Sequence, residues 1–128
     1  MLKKNYNDLA LLILRLGFGG MMLIRHGVPK LDKLSDSSGF PDPLGIGSTA
    51  SLILCLIGEF LAPVLIIIGL KTKLAAIPAA ITMAVAVFIV HASDPLARKE
   101  MAILYLFAFL VIFLAGPGSF SVDGRKGR

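Results

Sequence analysis

The sequence predicts an all-α integral membrane protein, a four-helix bundle with both its N-terminus and its C-terminus cytoplasmic. Three observations predict it. Of the 128 residues, 56% are hydrophobic; the mean hydropathy is +0.85; and the apolar residues gather into four stretches separated by charged or Pro/Gly-rich breaks. A hydrocarbon core about 30 Å thick takes roughly 20 apolar residues per helical span. Four spans leave little chain for a soluble part, so a single domain over residues 1–128 is expected.

Helix 1 is expected over about 9–28, with Asn7 or Asp8 as N-cap and Pro29 limiting its far end. The segment 29–48, rich in Pro, Gly, Ser and Asp, reads as an external loop. Within it Val28, Leu31 and Leu34 recur at helical spacing beside Lys30 and Lys33, an amphipathic interfacial turn. Phe40, Leu44 and Ile46 are expected to fold back as a cap over the bundle. Helix 2 should span 49–70, and a tight turn at Lys71, Thr72 and Lys73 makes helix 3, over 74–91, its antiparallel neighbour. Pro78 falls near the start of helix 3, where its missing donor matters little. The purely apolar part of helix 4, from Met101 to Ala115, spans only ~22 Å. An Asp94–Pro95 start extends it to 95–115 and places Arg98, Lys99 and Glu100 at the outer lip.

The net charge of +5 does not imply nucleic acid, because the basic residues flank the apolar stretches and form no basic helical face. Seven lysines and arginines fall on the side of the termini and the 71–73 turn, against four at Lys30, Lys33, Arg98 and Lys99; the richer side is expected to be cytoplasmic. Arg15 interrupts the first apolar stretch and no small-residue cleavage site follows, so that stretch is expected to remain as a membrane anchor. A single cysteine, Cys55, cannot form an internal disulfide or a Cys-x-x-Cys pair, and its plain reading is packing.

Ionisable groups at membrane depth are costly unless paired or hydrated, which makes each a candidate site. Arg15 lies ~10 Å along helix 1 from the cytoplasmic side and Glu59 ~16 Å from the same side along helix 2. With Gly19 admitting helix 2 closely, an Arg15–Glu59 pair is expected, serving as a proton relay or as a structural ion pair that only sets helix register. Pro63 should kink helix 2 at Glu59. One face of helix 1 carries Arg15, Gly19, Met22 and His26. At the outer end His26, His91 and Glu100 converge from three helices, and a histidine and a carboxylate at the lipid boundary suit a quinone, whose carbonyls take hydrogen bonds and whose reduction takes protons. The bland alternative is two histidines at headgroup level as polar helix ends. A haem on His26 and His91, or a zinc on these with Glu100, has no supporting spacing, so no metal site is assigned.

The order of motifs resembles the DoxX family of small bacterial membrane proteins. The residues that carry it are LRLGFGGMMLIRHGVPKLDKL (Leu14 to Leu34), GEFLAPVLIIIGLKTKLAA (Gly58 to Ala76), MAVAVFIVH ending at His91, KEMAILYL (Lys99 to Leu106) and GPGSFSVD (Gly116 to Asp123). The resemblance implies a four-helix protein of the bacterial inner membrane tied to quinone-linked oxidation, relatives including a subunit of a thiosulfate:quinone oxidoreductase. It implies roles for Glu59, His26, His91 and Glu100. No substrate-binding soluble part is visible, so sulfur chemistry would need a soluble or membrane redox partner. The expected function is the membrane subunit of a quinone-linked oxidoreductase system. The alternatives are a non-catalytic scaffold recruiting redox or stress-response partners, and a small-solute transporter, for which four helices are few unless the chain forms a homo-oligomer.

Overall fold

A computed structural model describes residues 2–126, with side chains from 6 to 125. The basic groups of Lys3, Lys4, Lys126 and Arg128, which enter the orientation count, lie outside the described side chains. Among the described residues there are five helices and no strand: α1 (Leu2–Ser35), α2 (Ser48–Ile68), α3 (Thr72–Val90), α4 (Leu96–Ala115) and the short α5 (Val122–Lys126). Each long helix packs on the next, α3 and α4 most extensively, and α4 returns to α1 to close the ring. We call the two ends of the bundle the termini end and the loop end. Three helices, α1 to α3, are long and apolar enough to cross a membrane. The 20-residue α4 carries Arg98, Lys99 and Glu100 in its first turns.

The distribution of side chains is the reverse of a soluble domain. Large apolar groups such as Ile24, Ile81, Phe88, Phe107 and Leu114 are exposed, whereas Arg15, Glu59 and Thr72 are buried. An apolar exterior around buried charge is stable where the solvent is hydrocarbon. The expected face of α1 forms: Arg15, Gly19 and Met22 are buried and His26 is half-buried.

Several helix boundaries differ from those expected. Helix 1 begins at Leu2, so neither Asn7 nor Asp8 is its N-cap, and it does not stop at Pro29 but runs on to Ser35. The turn Leu23–Gly27 before it is widened, so that the Val28 N–H reaches back five residues to the Leu23 carbonyl. That widening moves the carbonyl that the proline ring would strike. A wide turn likewise precedes Pro63: Ile57–Leu61, which contains Glu59, has the Ala62 N–H bonded to Ile57 O. The break between α2 and α3 falls at Gly69 and Lys71, both left-handed, rather than at 71–73. Since α3 therefore starts at Thr72, Pro78 lies inside it and not in its first turn. Asp94 does not cap α4 either; Pro95 is the N-cap residue, without a side-chain hydrogen bond, and Asp94 turns to His91.

Two glycines set helix approach. A Cβ at Gly27 would lie 2.2 Å from the Glu59 carbonyl oxygen, and one at Gly58 would lie 1.9 Å from Thr82 Oγ1. Backbone on the far side cannot give way, so Gly27→Ala should destabilise the protein by about 1–3 kcal/mol, read as a lower thermal midpoint in detergent. Gly20→Ala meets nothing within 4 Å and should leave the midpoint unchanged or raise it, since glycine weakens a helix interior. Equal midpoints for the two variants would contradict this packing.

Candidate functional site

Arg15 and Glu59 are both buried, but they do not meet. A buried guanidinium must place its five N–H donors. Among the described residues Arg15 gives Nε to Ile66 O (2.9 Å), Nη2 to Ile67 O (2.8 Å), and Nη1 to Pro117 O and Phe120 O (3.0 Å each). Ile66 and Ile67 stand in the last turn of α2, where carbonyls lack helical partners, so Arg15 serves as a cap from another helix. The neighbouring carbonyl of Leu65 takes the N–H groups of Gly69 and Leu70.

The tail after α4 completes this knot. Asp8 accepts from the backbone N–H and hydroxyl of Ser119. Asp123 accepts from Lys71 N–H, Thr72 N–H and Thr72 Oγ1 at 2.8–2.9 Å, capping the start of α3, and its own N–H donates to Gly69 O. Sequence reasoning missed Asp8 as a tail anchor and Asp123 and Thr72 altogether. The available signal was a carboxylate and a hydroxyl beside chain breaks, which marks a cap but not what it caps.

Glu59 instead faces Lys30, with Oε1 2.6 Å from Nζ, and the same ammonium donates to His26 O at 3.3 Å. The Arg15–Glu59 relay is therefore replaced by a Lys30–Glu59 pair at the loop end. The reason is register: Gly19 lies against Pro63 and Ile67, and Gly27, two turns further along, lies against Glu59. Glu59 Oε1 is buried and receives no well-aligned hydrogen bond among the described residues, the lysine contact being close but off-line.

His26, Lys30, Glu59 and His91 line one cavity of about 560 Å³, whose remaining wall is mostly apolar. Phe40, Pro41, Pro43 and Leu44 roof it, as the expected cap does, though Ile46 is not among the lining residues. Tyr105 is a wall residue that the sequence reading passed over. Its ring stands edge-on to His26 at 5.8 Å and to Phe18 at 5.7 Å, and stacks on Phe109. His91 Nδ1 donates to Asp94 Oδ2 at 2.7 Å. Glu100, expected here, is exposed and lies outside the cavity that Arg98, Ala102 and Tyr105 of the same helix line, so the triad with His26 and His91 is not assembled.

The roof is tied down by Asp42. Its carboxylate accepts from Gly47 N–H, Ser51 Oγ and Ile46 N–H at 2.8–2.9 Å, and Ser48 Oγ donates to Phe40 O. The Gly47 N–H above all, then Ser51 and Ile46, hold the Asp42 carboxyl below the usual carboxylate range.

Buried polar groups turned inward onto a largely apolar cavity, inside an exterior suited to lipid, define a helical membrane protein with a built binding space. The chain belongs to the DoxX family: the family model described as DoxX matches residues 10–92, well over half of its length. The match takes in α1 to α3; α4 and the tail lie beyond it. No curated protein and no solved structure matches the chain.

Two variants test the site's framework. Arg15→Met should cost ~1–3 kcal/mol for each carbonyl left without a donor, and Arg15→Lys should fail to restore the loss, since one ammonium cannot span four carbonyls; thermal midpoints measure both. Asp42 tests the roof. Its folded pKa is depressed, so its contribution is present above the unfolded value of about 3.9 and is lost as pH falls through the folded value. Hydrogen exchange of residues 40–51, corrected for its intrinsic pH dependence, should rise below about pH 4 in the natural chain. In Asp42→Asn it should already be high at neutral pH and show no such step.

Proposed function

We propose that this DoxX-family protein is the membrane subunit of a quinone-linked oxidoreductase system and takes a quinone headgroup into the cavity between its helices. The observation that carries this reading is the convergence of two imidazoles, an ammonium and a carboxylate on one mostly apolar space. Such a lining, mostly apolar with a few convergent polar groups, is the usual character of a small-molecule site.

The residues fit that group chemically. The His26 ring and the Tyr105 hydroxyl can donate to a carbonyl oxygen, and Lys30 holds positive charge beside it. Glu59, buried and short of an aligned donor, can hold a proton and release it. The His91–Asp94 pair, more exposed at the mouth, joins this interior to the loop-end solvent. A bound quinone would supply the two-electron, two-proton carrier chemistry that these side chains lack.

In this reading α4 is a fourth span. Arg98, Lys99 and Glu100 occupy its first two turns, from which long side chains reach the headgroup layer. The chain is then a multi-pass protein of the bacterial inner membrane, both termini cytoplasmic by the excess of basic residues on their side, and a soluble or membrane redox partner brings the electrons. A second reading, a scaffold that recruits such a partner, is favoured by Arg15, whose donors are engaged in holding helix ends.

Protein purified in mild detergent should carry quinone in an organic extract analysed by mass spectrometry. His26→Ala should lower that content several-fold, while Glu100→Ala, outside the cavity, should leave it unchanged. Repeated preparations without quinone, and no quinol oxidation on adding partner proteins, would overturn the quinone reading in favour of the scaffold.

A further inference from the structure

The helices α2 and α3 touch at Gly58 and Thr82, where a Cβ on the glycine would also come within 3.0 Å of the Pro78 carbonyl oxygen. From that crossing toward the loop end they part. Ser48–Leu56 makes hardly any backbone contact with Ala86–Val90, although α1 stays against α2 and α4 against α3 at this level. Leu54 and Cys55 on one side and Val85 and Ala86 on the other line the cavity, so the wedge between the two helices is the cavity itself.

The rim of the wedge is exposed: Leu54 to 49%, Ile57 to 37% and Ile81 to 57%. These three are continuous with the apolar exterior of α2 and α3. Gly58 lies ~15 Å along α2 from its first residue, so the opening occupies the outer half of a span about 30 Å thick. What covers an apolar opening at that depth is hydrocarbon chain, not water. The polar groups lie on the inner wall instead: Glu59 and Lys30 in their pair, His26 beside Tyr105. Arg98, with no partner among the described residues, lines the mouth.

We propose that the cavity opens sideways into the bilayer between α2 and α3, and that its ligand is a membrane-dissolved amphiphile that enters head first through this opening and leaves its apolar tail lying in it. This rests on the cavity described under the proposed function and narrows the ligand to the lipid phase, but it does not require that the head be a quinone. The roof segment Phe40–Leu44, tied by Asp42, lies over the loop end of the cavity, beside the mouth at His91 and Arg98.

The chain contains no tryptophan, so a single one introduced at Val85 reports on the wedge alone. In bilayers of lipid brominated in mid-chain, Val85→Trp fluorescence should be quenched nearly as strongly as that of the lipid-facing control Phe88→Trp, and several-fold more than that of the core control Phe109→Trp. Quenching no greater than at Phe109 would overturn the opening. Should Val85→Trp not fold, a nitroxide on the natural Cys55 gives the same answer. Collisions with dissolved oxygen in excess of those with a water-soluble nickel chelate support the lipid route, and the reverse overturns it. Added long-tailed quinone separates the two proposals: if it displaces brominated chains both stand, and if it does not while quenching persists, the opening stands and the quinone reading falls.

Discussion

The structure depends on how one buried guanidinium is satisfied. Arg15 sits inside α1 at a depth where an unpaired charge is costly, and it draws its acceptors from the end of α2 and from the tail after α4. Two of those acceptors are carbonyls in the last turn of α2 and two lie in the tail between α4 and α5. One side chain thus completes the α2 terminus and holds the tail across the termini end of the bundle. Once Arg15 is anchored at Ile66 and Ile67, the antiparallel course of α1 carries Gly27 to Glu59 and Lys30 just beyond it. The acid then acquires a lysine, not the arginine, as its partner.

That division separates the two ends of the molecule by role. At the termini end Asp8, Arg15 and Asp123 are engaged with backbone groups, which ties the tail across the helix ends. At the loop end the Lys30–Glu59 pair leaves a carboxylate oxygen imperfectly met, beside a cavity with two histidines. The tied end and the parted pair of helices belong together: α2 and α3 can splay toward the loop because Gly58 and Thr82 hold them at mid-depth and Asp123 caps the Gly69–Thr72 turn.

Prolines and glycines play opposite parts in this frame. Pro29 and Pro63 each follow a widened turn that absorbs the lost donor without breaking the helix. The turn before Pro63 contains Glu59, and the one before Pro29 contains His26, so both cavity residues project from locally irregular backbone. Gly27 and Gly58 instead remove side chains where helices cross, which packs the bundle closely enough to keep its few charges out of lipid.

Much of this was legible in the chain itself. Hydropathy determined the helical membrane class. The eleven-residue spacing of Arg15 and His26, nearly three whole turns, determined that both share the inner face of α1. The apolar residues of the external loop pointed to a roof. These follow from local chemistry and helical period, which sequence carries directly. Tertiary structure decided which charges pair, that Glu100 faces outward, that Tyr105 walls the cavity, and that the tail caps α2 and α3. The physical reason is that helix register depends on long-range satisfaction of backbone carbonyls, here by Arg15 and Asp123 across about fifty to a hundred residues of chain. Periodicity shows which face a side chain occupies, but not how far one helix slides along another.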